Sequence, residues 1–252
     1  MRLRMYDSMT MKTIALLIAA AAVTTAHAAD DVTPLLKAAD KWRLSSDSMQ
    51  VETQVQVFNK DGSPDKERRY TVFAQPQHKS LVLMRSPAEA GQKVLMLGDD
   101  FWLLMPSSQR PLRITPMQKL LGDASTGDIA TLSWAEDYTG SVVGDEPCGA
   151  QSCTHLSLQA ARKSASYQRI ELWIGSRKHE PVHADLFVQS DKLAKQATFV
   201  IDKAGTGVAE MVLLDQLSSH KETRVRYTSR AQKSVPDAWM NPMFLARNPS
   251  LD

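Results

Sequence analysis

The sequence predicts a mainly β protein with a few helices, built on a single strongly curved antiparallel sheet. From Met49 onward, apolar residues recur at every second position in a series of short runs, and Gly, Asp, Asn and Ser turns separate these runs. An apolar face that alternates with a polar face, strand after strand, is typical of an antiparallel sheet with one side in solvent. The predicted helices are too few to cover so large an apolar face, so the sheet must curl and leave room for a ligand cavity.

Residues 11–28 have the pattern of a secretory signal peptide. Lys12 supplies a positive start, residues 14–23 form an apolar stretch, and Ala26-His27-Ala28 is a small-x-small cleavage site. The alternative, an uncleaved anchor, would need about 20 apolar residues. We therefore expect cleavage after Ala28 and export of the mature chain.

The expected mature chain, residues 29–252, suits one domain, because no linker or internal repeat interrupts it. The sequence leaves open whether Met1 or Met11 is the start. The net charge of +2 lies within the first 28 residues, so the mature chain is near neutral. It therefore gives no argument for a nucleic acid partner.

The first predicted element is a helix that begins at Thr33-Pro34. Thr33 can cap a helix, and Pro34 fits the first helical position. An apolar stripe with helical spacing follows, formed by Leu35, Ala38, Ala39 and Trp42. We expect this stripe to pack against the sheet.

Five strands are predicted next, at residues 49–58, 66–73, 80–85, 93–97 and 101–105. In the first of them Val51, Val55 and Val57 share the apolar face. The last two flank Gly98-Asp99-Asp100, which is a hairpin signal. Residues 117–122 and the stretch from Ile129 to Tyr138 are then predicted as short helical pieces over the opening of the sheet.

The second half of the chain carries the most regular alternation. It assigns to the concave face the residues Ile170, Leu172, Ile174, Val182, Ala184, Leu186, Phe199 and Ile201. The apolar stretch from Val235 to Leu245 is expected to cap one end of the sheet.

Cys148 and Cys153 are separated by four residues in a chain that is expected to be exported, which indicates a local disulfide. A redox pair of the thioredoxin type has two intervening residues. A metal site needs more ligands than two thiolates.

One motif suggests a zinc protease, because His179-Glu180-Pro181-Val182-His183 matches H-E-x-x-H. That chemistry needs both histidines on one face of a helix, whereas Pro181 and the surrounding pattern predict strand, turn and strand. No nucleophile elbow, P-loop or dinucleotide fingerprint is present in the sequence. We therefore expect no enzyme activity, no catalytic residue, no metal and no cofactor.

An ordered series of short motifs runs through residues 86–138: S-P-A-E, Gly91, a strand, D-D-x-W-L-x-x-P, R-P-x-R-I and G-D-A-S. It continues through Tyr167, Leu172-Trp173-Ile174, Pro181 and Phe244-Leu245. The series resembles the periplasmic outer-membrane lipoprotein-sorting family, which has the LolA/LolB-like fold. The resemblance implies a half-barrel of about 11 strands with helices over its concave face.

The resemblance also implies a periplasmic carrier that holds acyl chains of a lipoprotein or lipid in an apolar cavity. Its partners would be an inner-membrane exporter and an outer-membrane acceptor, and we expect a monomer. Alternatives are an envelope-stress sensor of the same fold and an envelope hydrolase. The candidate cavity residues are Trp42, Val51, Val55, Val57, Trp102, Leu104, Ile170, Leu172, Ile174, Leu186, Phe199 and Ile201.

Overall fold

A computed structural model describes residues 31–44, 47–130, 133–163, 165–215 and 217–251. The expected signal peptide lies outside these residues. Within them, no helix is long and apolar enough to cross a membrane. The elements are α1 (Thr33–Asp40), β1 (Met49–Phe58), β2 (Pro64–Gln75), β3 (Lys79–Met84), β4 (Lys93–Leu97), β5 (Asp100–Leu104), β6 (Leu112–Ile114), β7 (Lys119–Leu121), β8 (Ala124–Ser125), α2 (Thr126–Ala130), β9 (Tyr138–Cys148), β10 (Gln151–Ala160), β11 (Arg169–Gly175), β12 (Pro181–Phe187), β13 (Leu193–Ile201), β14 (Val208–Leu214), β15 (Glu222–Gln232) and α3 (Pro242–Leu245).

Thirteen strands form one open antiparallel sheet in the order β6-β5-β4-β3-β2-β1-β15-β14-β13-β12-β11-β10-β9. The chain starts at the centre with β1, runs outward to the edge strand β6, and returns from the other edge, β9, to β15 beside β1. The connection between the two edges must therefore cross the sheet. It carries β7, β8 and α2, and it lies over the concave face, with α2 against β2 and β3.

The predicted curved antiparallel sheet is confirmed, and the alternation of β1 places its valines as expected. Val51, Val55 and Val57 are buried on the same face as Thr53, and the polar residues that alternate with them are half-buried. The helix α1 is confirmed, but the face that it buries differs from the predicted apolar stripe. Val32, not Thr33, is its N-cap, and Leu36, Ala39 and Asp40 are its buried residues.

The sheet has two more strands than the resemblance implied. The sequence analysis predicted no strands for the hairpin of β9 and β10. The reason is that β9 is an edge strand, rich in Gly and polar residues, and shows no clean alternation. The disulfide between Cys148 and Cys153 is confirmed, and it spans the turn of this hairpin.

The crossing connection differs from its prediction. The expected helix around Met117 to Leu121 is a two-stranded ribbon, β7 with β8, and Gly122 makes its turn with φ of +54°. A Cβ at Gly122 would lie 2.6 Å from Val57 and 2.5 Å from Thr223, so the close approach to the sheet also requires glycine. The helix α2 begins at Thr126, before the predicted start at Ile129.

The C-terminal segment, residues 235–251, does not cap an end of the sheet as predicted. It packs on the convex face of β2 to β5, where β-strand residues on both faces are apolar. Its buried side chains join Phe73, Leu81, Leu83 and Leu95 in a second hydrophobic cluster; they are Val235, Met240, Leu245, Ala246 and Leu251.

Candidate functional site

The candidate site lies between the concave face and the connection that crosses it. We call this connection the lid, defined as residues 115–130 and 133–137. Beneath it the main hydrophobic cluster joins the sheet to α1 and to lid residues that include Ala124, Ile129, Ala130 and Trp134. The site is therefore an apolar wall with a cover that belongs to the same chain.

A cavity of about 530 Å³ opens at one end of the lid. It lies between α1, the turn of β2 and β3, and the end of the lid. Its apolar lining includes Leu44, Ala74, Met96 and Ala130, and its charged lining includes Lys37, Lys41, Lys79, Asp47 and Glu136. A volume between about 300 and 1,000 Å³ is usual for small-molecule sites. The cavity is therefore an amphipathic mouth beside the covered wall.

Asp40, at the end of α1, holds the lid beside this mouth. Its carboxylate accepts hydrogen bonds from the Ser133 hydroxyl at 2.8 Å and from the backbone N–H groups of Trp134 at 2.8 Å and Ala135 at 2.9 Å. Burial raises the pKa of Asp40 above its ordinary value, although Arg43 and these hydrogen bonds act in the opposite direction. Asp40 thus fixes the lid through polar contacts.

Trp134 fills the space beneath the lid. Its ring meets Phe199 of β13 edge to face at 5.6 Å between centroids, and the Arg43 guanidinium lies 4.2 Å from its ring centre. A space of only about 50 Å³ remains beside it, lined in part by Ile170 and Leu186. That volume holds no more than a few water molecules, so the apolar wall is closed.

A buried ion pair joins the lid to the sheet. The Lys195 ammonium on β13 donates to Asp128 of α2 at 2.7 Å, and both side chains are almost fully buried. The same carboxylate accepts from the Tyr167 hydroxyl at 2.7 Å and from the Ser125 N–H and hydroxyl at 2.8 Å. Burial alone would raise the pKa of Asp128, but Lys195 and these hydrogen bonds hold it below the ordinary value.

The end of the lid carries a third polar contact. Asp137 is buried and accepts from Arg162 at 2.6 Å, and His78 lies 3.2 Å from it. Burial raises the pKa of Asp137, although Arg162 and His78 favour its charged form. Three carboxylates on or against the lid, those of Asp40, Asp128 and Asp137, therefore attach it to the rest of the protein.

The structure brings most predicted cavity residues together on the wall. Val51, Val55, Ile170, Leu172, Ile174, Leu186 and Phe199 are buried in the main cluster, and Ile201 packs on it half-buried. Val57 lies beneath Gly122 of the lid. Trp42 is at the rim, where its indole N–H donates to the Lys178 carbonyl at 3.1 Å.

Trp102 and Leu104 are not on the wall, and their assignment to the cavity is wrong. They belong to the convex cluster under the C-terminal segment. In β5 every side chain after Asp100 is apolar, so alternation could not tell the two faces apart. Phe101 and Leu103, their neighbours in the strand, are the residues that face the main cluster.

The H-E-x-x-H motif lies in a turn and a strand, as Pro181 and the flanking pattern predicted. His179 has φ of +57° before β12, and His183 is within β12, where it contacts Asp185 at 2.9 Å. The helix that a zinc protease needs is therefore not the conformation of this segment.

The sequence analysis missed several residues of the site, among them Asp40, Trp134 and Asp137. Two others that it missed, Lys195 and Asp128, left a signal. Lys195 has the same strand parity as Ala197 and Phe199, so it lies on the apolar face of β13. Ser125-x-x-Asp128 is a capping-box pattern, in which the acid at the third helical position bonds back to the N-cap. Neither pattern predicts that the two side chains meet.

Comparison with known proteins agrees with this geometry. A model of a family described as "Uncharacterized protein" matches residues 76–247. No curated protein matches the sequence.

Among solved structures, a LolA superfamily protein from Nitrosomonas europaea is 26% identical with a TM-score of 0.75, and the match covers 84% of this chain and 97% of that one. A DUF1329 family protein from Desulfovibrio piger is 19% identical with a TM-score of 0.68, over 83% and 95% of the two chains. An outer membrane lipoprotein-sorting protein domain from Vibrio parahaemolyticus is 17% identical with a TM-score of 0.65, over 84% and 98%. Because the family model spans more than half of the chain, this protein belongs to that family, and it has the LolA-like fold.

Proposed function

We propose that this protein is a periplasmic, non-enzymatic carrier that binds acyl chains of a lipoprotein or lipid on its concave wall and moves them towards the outer membrane. One observation carries the proposal: an open sheet presents a continuous apolar wall, and the cover of that wall is attached by polar contacts. The similarity to a lipoprotein-sorting domain supports it. The proposed partners are an inner-membrane exporter and an outer-membrane acceptor.

The physical need for such a carrier is large. Moving a sixteen-carbon chain through water costs about 12 kcal/mol at ~0.8 kcal/mol per CH₂. An apolar wall removes most of that cost. Transfer between donor, carrier and acceptor then needs only small differences in affinity.

Binding requires the lid to move, because the space beneath it is about 50 Å³. The mouth cavity of about 530 Å³ touches Ala130, Ser133 and Ala135 of the lid, so an entering chain would first meet this end. Displacing the lid exchanges its polar contacts for water, and a hydrogen bond to a charged group contributes about 1.5–3 kcal/mol net. The acyl chain then replaces the apolar side chains of the lid on the wall.

Native mass spectrometry of protein purified from the periplasm, followed by lipid extraction, tests the proposal. We expect a population with bound lipid that disappears on extraction. A fluorescent fatty acid should then bind the extracted protein. Protein that is free of lipid and does not bind the probe would contradict the proposal.

A matched pair of variants places the binding on the wall. Leu172→Glu puts a carboxylate against the acyl chain, and desolvating it costs several kcal/mol, enough to abolish a micromolar affinity. Val200→Glu is the control, because Val200 is exposed on β13, two strands from β11, which carries Leu172. We expect folded Leu172→Glu protein without probe binding, and Val200→Glu protein that binds normally.

A further inference from the structure

Lys195 is a buried cation on the apolar face of β13. It is 2% exposed, and in β13 it takes the position that Ala197 and Phe199 take further along, facing the main cluster. Its cross-strand partner is Leu186, which is also on the wall. A buried ion pair is weak evidence for stability, since apolar residues of similar size are often as stable or more stable. The position therefore calls for an explanation other than folding.

The carboxylate that neutralises Lys195 belongs to the lid. Asp128 is in α2, whereas Lys195 is in β13 and Tyr167 lies two residues before β11. When the lid leaves the wall, Asp128 leaves with it. The ammonium and the phenol hydroxyl then remain as hydrogen-bond donors, next to the apolar side chains of Ile170, Leu186 and Phe199.

Such a surface fits an amphiphile with a negative head. The apolar wall binds the chain, and the two donors bind one carboxylate or phosphate oxygen group, as they now bind the Asp128 carboxylate. We propose that Lys195 and Tyr167 form the headgroup site for an anionic amphiphile, and that Asp128 occupies this site in the closed protein. The inference rests on the proposed function and adds to it the chemical class of the cargo.

Asp128 thereby acts as an internal competitor. A cargo with a neutral head would leave Lys195 without an anion in a largely apolar place, and an unpaired buried charge costs several kcal/mol. A cargo with an anionic head replaces the pair that the lid removes. The Asp128 carboxylate therefore binds Lys195 in the closed protein, and an anionic headgroup takes its place when the lid is open.

Calorimetric titration of the full chain with three probes of one chain length tests the inference. The probes are dodecanoate, dodecyl phosphate and neutral monolauroylglycerol; acetate and inorganic phosphate are added as heads without chains. We expect the wild type to bind both anionic amphiphiles at least about tenfold more tightly than the neutral one. Acetate and phosphate alone should not bind.

Variants separate the headgroup site from lid stability. Asp128→Asn loosens the lid, so binding of all three amphiphiles should tighten while the preference for an anion remains. Adding Lys195→Met should abolish that preference and keep binding of the neutral probe. If the methionine variant does not fold, Lys195→Gln in the same background replaces it. Lys119→Met is the control: it breaks an ion pair between lid and sheet at the exposed rim, with Asp215, and should leave the preference unchanged.

Each outcome decides the question. An anion preference that survives the loss of Lys195, or equal binding of all three amphiphiles to the wild type, overturns the headgroup site and leaves the carrier proposal standing. A chain that binds none of the amphiphiles in any variant overturns both. Loss of the preference with Lys195, and only with it, supports the site.

Discussion

From the second half of β2 to β5 the sheet is apolar on both faces, and the two faces are covered in different ways. On the convex face the C-terminal segment is held mainly by side-chain packing, with Trp239 edge to face on Phe73 at 5.4 Å and Leu245 buried. Two hydrogen bonds add to this packing, from Lys93 to Asn248 at 2.6 Å and from Gln75 to the Val235 carbonyl at 3.1 Å. On the concave face the lid also buries apolar side chains, but the buried carboxylates of Asp40 and Asp128 attach it. The C-terminal segment is thus attached mainly by apolar packing, and the lid by buried carboxylates as well.

The kind of contact that attaches each cover determines which cover can open. Removing the C-terminal segment exposes mainly apolar surface to water, which is unfavourable, and no favourable contact with water compensates for it. Removing the lid exposes polar groups that water can solvate, and a cargo chain can occupy the apolar surface that the lid leaves. We therefore interpret the convex cover as permanent and the concave cover as reversible.

The largest effect is expected on the permanent cover. Leu245→Asp places a carboxylate in the convex cluster, where Leu245 is 1% exposed, and should lower the free energy of unfolding by at least about 4 kcal/mol. Met243→Asp in the same short helix is the matched control, because Met243 is 62% exposed; it should change stability by less than about 0.5 kcal/mol. Urea unfolding measures both. Equal effects would show that the segment is not a sealed cover.

The next effect is expected at the ion pair of the lid. Lys195→Met leaves Asp128 buried without its cation and should cost about 3–5 kcal/mol. Lys195→Met with Asp128→Asn should recover part of that loss, because the amide carries no charge and its oxygen still accepts a hydrogen bond from the Ser125 N–H. Urea unfolding of the two variants is the measurement. A double variant no more stable than the single one would contradict this account.

A smaller effect is expected from a bond outside both covers. The disulfide spans a sequence separation of 5 at the turn of β9 and β10, so replacing both cysteines by serine should cost about 2 kcal/mol. Binding of a fatty-acid probe should not change, since neither cysteine belongs to either of the two hydrophobic clusters. Altered probe affinity in this variant would show that global stability, and not the lid, controls binding.

Asp40 of α1 and Asp128 of the lid should respond to pH with opposite sign. The pKa of Asp40 is raised in the folded protein, so its contribution to stability declines as pH rises above the unfolded value of about 3.9. The pKa of Asp128 is lowered, so its contribution is present above about pH 4 and is lost as pH falls through the folded value. Unfolding curves of Asp40→Asn and Asp128→Asn against wild type between pH 3 and 7 measure both. Difference curves with the same slope would contradict the assignment.

The same comparison shows how far the sequence could predict the molecule. Alternation located the wall, because in β1 and β11 one face is apolar and the other polar. It failed in β5, where both faces are apolar. There a contact with a segment distant in sequence determines the buried convex face, because the C-terminal segment covers Trp102 and Leu104. No local pattern in β5 contains that information.

The lid was the least predictable part for a related reason. Apolar residues from Met117 to Leu121 have a spacing that suits a helix, yet Gly122 turns the chain against Val57 and Thr223. The pair of Asp128 and Lys195 joins residues 67 positions apart. Each residue left a local signal, but their meeting follows from the crossing of the sheet from edge to edge, which only the topology shows.

Thiol labelling measures the opening of each cover, because both native cysteines are in the disulfide and a new one would react alone. Ala124→Cys reports on the lid and Ala246→Cys on the C-terminal segment; both alanines are buried, at 0% and 7% exposed. We expect the thiol at position 124 to react without global unfolding, and faster when a fatty acid is added. The thiol at position 246 should react only at the rate of global unfolding, with no acceleration. Equal labelling rates at the two positions, unchanged by fatty acid, would contradict a reversible lid over a permanent convex cover.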